Sequence, residues 1–470
     1  MIEHIHFYYC NDLHSHFNQW PNIVHYFKQK KKHHQQTNEQ SWIIDIGDHV
    51  DRFHPIAEAF KGKANVELLN DAQFDFATIG NNEGITLEHD DLYHLYDKAD
   101  FQVTCGNLKP TNKQKPFWLK DSISFVTKHQ LRVKLIGLTA PFRPFYHPLG
   151  WDVESPYDYL SRNIDQLKND TDILILLSHL GLTDDQNIAE KYPEIDIIIG
   201  GHTHHLFKNG ELINETLLTA AGKHGKYVGE IHIDWDHSQN KLSNKQAFTV
   251  ETAYLDQDIA TSNTIRKMKE EAHELLGKQI AYLEQQLEVD WFVQTPIIKQ
   301  LTDKLKEWTK ADISMLNAGL LLDHIHKGHV TYGDVHRICP HPINPVTVQL
   351  RGIELLEVVR GALDEALMRL ELKGFGFRGK VIGKFVFSGI DIDTYVDEQG
   401  ISHVQHVYYN GKLIDNDRIF TLATADMFTF GKMFPEIARS TTKKFYLPEF
   451  MRDLLADSIK NSYDKDNHTD

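Results

Sequence analysis

The stretch that decides the fold is Ile197-Ile198-Ile199-Gly200-Gly201-His202-Thr203-His204-His205. Three branched apolar residues predict a buried strand, and two imidazoles separated by one residue follow it directly. Side chains at positions i and i+2 lie on the same side of an extended chain, so His202 and His204 can face one point. We expect a tight turn here that presents both rings beyond the end of the strand.

Four earlier apolar runs end in the same way, in side chains that can bind a metal ion. In layered α/β domains the functional groups lie beyond the carboxyl ends of the strands, so these side chains can converge. Apolar runs alternate with helical segments at 161–169 and 183–191, which is typical of such a domain. The run ends that predict a metal site are Asp12-Leu13-His14, Gly47-Asp48, Gly80-Asn81, His179 and Gly201-His202-Thr203-His204.

Each motif taken alone has a simpler interpretation. Residues 12–14 would suit a polar loop, residues 81–84 suit an ordinary turn, and a single histidine such as His179 is more often structural. We interpret Asp51 and Arg52 as solvated loop charges. The common position of the motifs at strand ends favours a metal site over the separate interpretations.

Length and charge bound the class of protein. A chain of 470 residues is too long for one ordinary core, so we expect two domains. The balance of 50 Lys and Arg against 66 Asp and Glu gives a net charge of −16. This charge argues against partners such as nucleic acid or an anionic membrane, which require basic surface. An anionic substrate would need local positive charge, and a bound metal ion supplies it.

Cysteine usage and the start of the chain predict a location. The three cysteines, Cys10, Cys105 and Cys339, are far apart and form no disulfide framework or thiolate zinc motif. Met1 leads directly into a predicted strand, without a basic region, a long apolar region and a cleavage site. No apolar run is long enough to cross a bilayer. These features predict a cytoplasmic protein.

Composition shifts divide the chain into three segments. We predict a first domain at 1–256 that carries the metal site. A segment rich in Lys, Glu, Gln and Leu follows at 257–290 and predicts a connecting helix. Strands and helices are mixed in the remainder, which predicts a second domain at 291–470.

With these residues assembled, the chain resembles the two-domain 5′-nucleotidase family of the calcineurin-like metallophosphoesterases, in its cytoplasmic bacterial branch. The resemblance implies a four-layer α/β/β/α sandwich as the catalytic domain, followed by a C-terminal α/β domain that binds substrate. The first half carries the strand-end motifs quoted above. The second half matches through Asn317-Ala318-Gly319, residues 331–335, Asn344 and Ser388-Gly389.

The resemblance also implies a site for two divalent metal ions. Asp12, His14 and His204 would bind the first ion and Asn81, His179 and His202 the second, with Asp48 bridging the two. Nitrogen and oxygen ligands suit manganese, zinc, iron or cobalt. Two such ions can activate a water that displaces the ester oxygen.

The chain departs from the family at the catalytic donor. The family usually places a histidine after the metal-binding Asn and an aspartate three residues later, whereas Asn82 and Ile85 stand here. Asn82 can donate a hydrogen bond but cannot protonate a leaving group, and a positioned general acid contributes about 10²–10⁴ in rate. We therefore predict Asn82 as a neutral donor, with His16, His49 or His89 as candidates for the missing acid.

The second domain departs as well. The family's phosphate-facing arginine is Leu322 here, and the base-stacking aromatic after a proline is His341. The resemblance implies substrate contacts from Asn317, His341, Asn344 and Phe434. Each of these could instead be turn or core structure, and for Phe434 the core is favoured.

The leading hypothesis is metal-dependent hydrolysis of phosphate esters, with a nucleotide or a related small phosphate as the partner molecule. A phosphodiesterase, or a pyrophosphohydrolase of nucleotide sugars or dinucleotides, is the alternative enzyme. The absence of the His/Asp pair and the presence of Leu322 would also suit a non-catalytic nucleotide- or metal-binding protein. The complete set of metal ligands favours hydrolysis.

Overall fold

The structure is a computed structural model that describes residues 1–431 and 433–463. The chain divides into two compact units, one at 1–272 and one that begins at His273. Both units mix helices and strands, as predicted. The domain boundaries near 256 and 291 stay predictions.

The first sheet of the first unit is built around the first strand. That strand pairs in parallel with the strand after it and antiparallel with Tyr227–Asp236. The strands from Gln40 onward continue in parallel. In spatial order the sheet contains Lys241–Glu251, Tyr227–Asp236, Ile2–Cys10, Gln40–Asp45, Phe76–Thr78, Gln102–Thr104 and Leu119–Lys120.

The second sheet of this unit has a parallel centre and antiparallel edges. Its two central strands, Ile173–His179 and Ile197–Gly200, are buried along their whole length. Strands covered on both faces read as continuous apolar runs, which explains the sequence pattern. In spatial order the sheet contains Glu211–Ile213, Thr216–Thr219, Ile197–Gly200, Ile173–His179, Arg132–Thr139 and Ile123–Val126.

One apolar core fills the space between the two sheets. Alternate residues of each strand face it, among them Ile5 and Phe7 from the first sheet and Ile175 and Ile199 from the second. The neighbouring residues point to the outer faces, because successive side chains on a strand alternate.

Helices cover both outer faces. On the second sheet, Ile136, Leu174 and Ile198 pack with Leu160 and Ile188. On the first sheet, the Phe27 ring lies 6.2 Å from the Tyr8 ring. The order is therefore helix, sheet, sheet, helix, which confirms the four-layer sandwich. The helices of this unit are Trp20–Thr37, Pro55–Phe60, Lys63–Asp71, Asn81–Thr86, His89–Tyr93, Arg143–Tyr146, Pro156–Lys168 and Leu182–Lys191.

The connecting segment is a shorter helix than 257–290 would give. The helix Ile259–Leu276 stops before Gly277, and residues Gln279–Leu283 form a strand that pairs with Gly328–Thr331. Glycine ends helices readily, because it loses more conformational freedom in a helix than other residues. Ala281 and Leu283 are buried in the core of the second unit.

The second unit is an α/β domain around one mixed sheet. Its strands, in spatial order, are Phe385–Ser388, Ile313–Asn317, Ile419–Ala425, Pro345–Arg351 and Lys443–Phe445. A smaller antiparallel sheet contains Asp391–Val396, Ser402–Tyr409 and Lys412–Leu413. The helices are Pro296–Thr309, Tyr332–Ile338, Gly352–Ala362, Glu365–Met368, Pro435–Arg439 and Met451–Tyr463.

No helix within residues 1–431 and 433–463 combines the length and the apolar character that a bilayer crossing requires.

Candidate metal centre

The predicted ligands occupy unusual backbone positions at the strand ends. Five of the seven have positive φ, a conformation that costs side-chain-bearing residues energy and is concentrated at functional sites. This geometry turns the chain sharply after each strand, so that the side chains face one another. The five are Asp12 (φ 50°), His14 (φ 50°), Asp48 (φ 51°), His202 (φ 69°) and His204 (φ 60°).

The first group of ligand atoms surrounds the Asp12 carboxylate, which is completely buried. Asp12 Oδ1 lies 3.4 Å from His204 Nε2 and 3.7 Å from His14 Nε2. The two imidazole nitrogens lie 3.1 Å apart. Three donor atoms at these separations can share one ion.

The second group centres on Asp48 and His179. Asp48 Oδ1 lies 3.3 Å from His179 Nε2, and its other oxygen lies 3.6 Å from His14 Nε2. Asp48 therefore spans the two groups, which is the place that the resemblance implied. Asp12 Oδ1 also lies within 3.9 Å of His179 Nε2, so Asp12 borders both groups as well.

Asn81 and His202 adjoin the second group. Asn81 Oδ1 lies 2.7 Å from His202 Nδ1. The His202 ring lies 5.5 Å from the His179 ring, measured between centroids. The structure thus brings all seven predicted ligands into one cluster, and both Asn81 and His202 are partly exposed at its edge.

Glu83 fixes the loops that carry Asp48 and Asn81. Its buried carboxylate accepts hydrogen bonds from the backbone N–H groups of Asp48 (3.0 Å), Val50 (2.8 Å) and Gly80 (3.0 Å). A Cβ atom at Gly80 would collide with the Asp48 carboxylate, which explains the glycine before Asn81. Burial and the Asp48 charge raise the pKa of Glu83 to about 7.

Asn11 holds the Asp12 carboxylate from behind. Its side-chain amide donates to Asp12 Oδ2 (2.7 Å) and to the Gly222 carbonyl (2.6 Å). The His202 backbone N–H donates to both Asp12 oxygens, at 3.1 and 3.0 Å. The carboxylate is therefore oriented by donors from two segments, at Asn11 and at His202, before any ion binds.

The charges of the cluster favour a bound cation. Burial opposes protonation of His14 and His179, yet the neighbouring carboxylates raise the pKa of each to about 10. These carboxylates include Asp12 and Asp48, and Asp51 also contacts His14 Nδ1 at 3.3 Å. Positive charge is therefore stabilised here, and a divalent ion would replace the protons.

The surroundings of His179 Nε2, a buried nitrogen, indicate whether a metal ion fits the cluster. The His179 Nδ1–H donates to the Ile46 carbonyl at 2.7 Å, so Nε2 is the nitrogen that can bind an ion once the ion displaces its proton. Nε2 is buried and makes no hydrogen bond within the described residues. A backbone carbonyl that fixes one imidazole nitrogen while the other faces carboxylates is typical of metal-binding histidines. The residues fit a divalent transition-metal ion.

Asn82, predicted as a neutral donor, lies at the cluster. Its side-chain amide nitrogen lies 2.9 Å from His14 Nδ1, and its backbone N–H donates to Asp48 Oδ1 at 2.7 Å. In this position Asn82 orients His14 and Asp48.

His16 and His49, two of the three candidates for the missing acid, are not among the clustered ligands. The His16 ring stacks on the His224 ring with centroids 3.8 Å apart, and the His224 ring in turn lies 5.8 Å from the His14 ring. The His49 ring is 2% exposed, packs edge-on against Trp20 and faces Asn65. Burial lowers the pKa of His49 to about 3, so this ring is neutral and faces the helical layer.

His224 is a neighbour of the site that sequence reasoning missed. Its backbone N–H donates to the Asp12 carbonyl at 2.8 Å. Its ring centroid lies 5.8 Å from that of His14. The signal in the sequence is weak, a single histidine in Gly222-Lys223-His224-Gly225 after a short apolar strand.

The interpretation of Asp51 and Arg52 as solvated loop charges was wrong. Asp51 is 2% exposed and contacts His14, whereas Arg52 is 3% exposed. The Arg52 guanidinium forms two hydrogen bonds to the Glu58 carboxylate, at 2.7 and 2.9 Å, and donates to the Thr86 carbonyl. The charges of this loop are therefore paired inside the protein, where they hold the loop in place and do not face solvent.

The four predicted substrate residues of the second unit are all buried. Asn317 donates to the Ile382 carbonyl and Asn344 to the Glu449 carbonyl. His341 uses both ring nitrogens, one with the Leu320 carbonyl and one with the Arg378 N–H. Phe434 is 1% exposed and packs edge-on against Phe385 and Phe428. The structure gives these residues structural contacts, so their assignment to substrate stays a prediction.

Two comparisons of sequence identify the family. Residues 5–206 match the calcineurin-like phosphoesterase family, and residues 277–435 match the 5′-nucleotidase C-terminal domain. The uncharacterized metallophosphoesterase YunD of Bacillus subtilis (strain 168) is 44% identical over 457 residues, covering 97% of this chain and 99% of that protein. The chain belongs to the two-domain 5′-nucleotidase family of metallophosphoesterases. The predicted resemblance is thereby confirmed, and the metallophosphoesterase is a metal-dependent phosphoester hydrolase.

Solved structures agree with the fold of this metallophosphoesterase. A putative 5′-nucleotidase from Staphylococcus aureus aligns with a TM-score of 0.69 at 19% identity, over 98% of this chain and 97% of that one. The NAD nucleotidase of Haemophilus influenzae aligns with a TM-score of 0.67 at 16% identity, over 98% and 96%. The order of the two domains is the same along the whole chain.

Proposed function

We propose that this metallophosphoesterase binds two divalent ions and hydrolyses nucleotides or related small phosphates. The observation that carries the proposal is the position of Asp48, which lies within 3.6 Å of His14 and within 3.3 Å of His179. A carboxylate has two oxygens and can hold one ion with each.

The proposed ligands divide between the two ions. Divalent ions at such a site stabilise the charge of phosphoryl oxygens and lower the pKa of a bound water. The role of the chain is to hold the donors still, because Asn11, Glu83 and Asn82 each fix a ligand or its loop. Asp12, His14 and His204 would hold the first ion, Asn81, His179 and His202 the second, and Asp48 both.

The donor residue favours one class of leaving group. Asn82 supplies hydrogen bonds but no proton. Burial lowers the pKa of the nearby His224 to about 3, so this imidazole is neutral at pH 7 and is a poor acid. Leaving groups that depart without protonation, such as a phosphate released from a phosphoanhydride, lose least from this arrangement. Pyrophosphohydrolysis of dinucleotides or nucleotide sugars is therefore the second candidate activity.

A pair of phenyl rings in the second unit supports an aromatic substrate. Phe375 is 50% exposed, and its ring lies nearly parallel to that of Phe430, with an interplanar angle of 8° and centroids 6.1 Å apart. Aromatic faces bind nucleobases by stacking. We assign recognition of the base to these two rings in place of His341 and Phe434, which are buried.

The proposal is tested by product analysis. The purified protein is assayed with a nucleoside monophosphate, a dinucleotide, a nucleotide sugar and a phosphodiester, each in manganese, zinc and cobalt. Release of free phosphate supports the nucleotidase, and release of a nucleoside monophosphate supports the pyrophosphohydrolase. Asp48→Asn should lose metal and activity together. Equal turnover by Asp48→Asn, or full activity in a metal-free preparation, would contradict the proposal.

The cytoplasmic location stays part of the proposal. All three cysteines are free and buried in the structure, which suits a reducing compartment. Fractionation of cells that express the untagged chain tests this point, and recovery in the medium or with the envelope would contradict it.

A further inference from the structure

A second group of metal-binding side chains lies on the helix-facing side of the first sheet. His6 stands in the middle of the strand Ile2–Cys10, six residues before Asp12. His34 lies in the last turn of the helix Trp20–Thr37, and Glu39 stands in the connection to the next strand. We call His6, His34 and Glu39 the His6 cluster.

The donor atoms of the His6 cluster have the spacing of a metal site. Glu39 Oε2 lies 3.2 Å from His6 Nε2 and 3.0 Å from His34 Nδ1. The two imidazoles are stacked with centroids 4.0 Å apart, so their nitrogens approach the carboxylate together. Ligand atoms about 2.0–2.1 Å from a tetrahedral zinc ion lie roughly 3.3 Å apart. A small movement of the three side chains would therefore accommodate the ion.

The surroundings suit a metal-binding His34. The Tyr8 hydroxyl lies 2.7 Å from His34 Nε2, the ring nitrogen that faces away from Glu39. Metal-binding histidines commonly place their second nitrogen against an oxygen in this way. The Glu39 side chain is 32% exposed, whereas those of His6 and His34 are 11% and 6% exposed. An ion would enter beside Glu39, and water can occupy its fourth position.

The imidazoles of the His6 cluster are in the form that binds metal. Burial, together with the positive charges that His34 and His232 would carry, lowers the pKa of His6 to about 4. Burial also lowers the pKa of His34. Both rings are therefore neutral at pH 7, and neutral imidazole is the ligand form.

The hydrogen bonds of His6 do not account for the burial of both of its ring nitrogens. His6 Nδ1 is buried and makes no hydrogen bond within residues 1–431 and 433–463. His232 stands directly opposite His6 in the antiparallel ladder, with its ring edge-on at 4.7 Å. An ion held at Nε2 would not contact Nδ1, but its coordination would offset part of the free energy that burying the ring costs.

We propose that His6, His34 and Glu39 form a zinc site separate from the catalytic cluster. Two imidazoles and a carboxylate suit Zn²⁺ or a similar borderline transition-metal ion, and they do not suit Mg²⁺ or Ca²⁺. The ion links the first strand, the end of the first helix and the connection after it. Its role is structural, because the ion would strengthen the connection between segments that the hydrogen bonds of Glu39 with His6 and His34 already join.

The test uses the full chain in a background that lacks the catalytic ligands. Asp12→Asn and Asp48→Asn are combined, and zinc binding is measured by titration in a metal buffer and by anomalous scattering at the zinc edge. One zinc ion per chain is expected at the His6 cluster. Adding Glu39→Ala should raise the dissociation constant at least ~10-fold, because loss of a mere supporting residue already costs 10–100-fold.

The matched control is His4→Gln, which changes a histidine of the same strand. His4 pairs with Asp234 and takes no part in the His6 cluster, so this variant should retain the ion. Unchanged zinc affinity in Glu39→Ala, or anomalous density at the catalytic cluster alone in the wild-type protein, would overturn the proposal. If Glu39→Ala fails to fold, Glu39→Gln replaces it, and full zinc affinity there overturns the proposal equally. Because binding is the readout, the outcome is independent of which ester the enzyme hydrolyses.

Discussion

The substitution Glu83→Gln tests whether metal binding at the catalytic cluster depends on a residue that is not one of the proposed ligands. Glu83 Oε2 accepts the N–H groups of Asp48 and Gly80, and Oε1 accepts that of Val50. A glutamine has one carbonyl oxygen, which can retain the first two bonds. Its amide nitrogen then faces the Val50 N–H, so two donors meet in a buried place.

The expected cost follows from these contacts. Loss of one hydrogen bond to a carboxylate costs about 1.5–3 kcal/mol. Removing the charge offsets part of this cost, because Glu83 is destabilised by burial and by Asp48, as its raised pKa shows. A net loss of about 1–2 kcal/mol in the free energy of unfolding is expected. The larger effect falls on metal binding, since residues that orient ligands typically contribute 10–100-fold in affinity.

The assay compares two buried glutamates. Metal dissociation constants, kcat and the free energy of unfolding are measured for Glu83→Gln and for Glu58→Gln. Glu58 is 1% exposed and binds Arg52 through both carboxylate oxygens. Only Glu83→Gln should weaken metal binding. The reasoning is refuted if both variants lose stability and the metal affinity of neither one changes. It is equally refuted if both variants lose stability and the metal affinity of both falls by the same factor.

Three further substitutions give separate predictions. Asn82→His should raise kcat by about 10² for substrates with an alkoxide leaving group, which needs a proton, and much less for phosphoanhydrides; equal changes across leaving groups, measured by a substrate series, would argue against a missing acid. Phe430→Ala should raise KM about tenfold for nucleotides, since stacking contributes about 1–3 kcal/mol per base, and should leave glycerol phosphate unaffected; an equal loss for both substrates would contradict base stacking. Burial raises the pKa of Asp426 from 3.8 to about 8, so the folded state holds a proton that the unfolded state releases above pH 3.8. Wild-type stability should therefore fall between pH 5 and 8, by at most about 1.4 kcal/mol per pH unit from this group, and Asp426→Asn should flatten the slope in denaturant titrations at several pH values; an identical slope would show that the carboxyl is ionised in the fold.

The strand ends were predictable because two local signals coincide there. Apolar runs such as 173–177 mark buried strands, and the polar residue after each run marks its end. Parallel strands present their carboxyl ends at one edge of a sheet, so topology alone brings such residues together. The pattern therefore predicted the cluster of Asp12, Asp48 and His204 without knowledge of any distance.

Contacts between segments that are distant along the chain leave no such signal in the sequence. Arg52 reads as a loop charge because the Glu58 carboxylate and the Thr86 carbonyl that bind it are recognisable only in the folded chain. His224 belongs to the site because its backbone binds the Asp12 carbonyl, a contact that depends on backbone geometry and not on residue type.

The same dependence on folded contacts explains why the sequence did not reveal that the predicted substrate residues of the second unit are buried. The aromatic and amide residues at 341 and 344 match motifs by their neighbours in sequence, but whether a ring faces solvent or the core depends on packing. His341 stacks on Phe377 with centroids 5.1 Å apart and is fully buried. Phe375 is exposed and Phe430 is partly buried, and the two are separated by 55 positions and carry no shared motif. Motifs thus locate catalytic groups better than they locate recognition surfaces. Topology gathers catalytic groups at strand ends, whereas a recognition surface depends on how individual side chains pack.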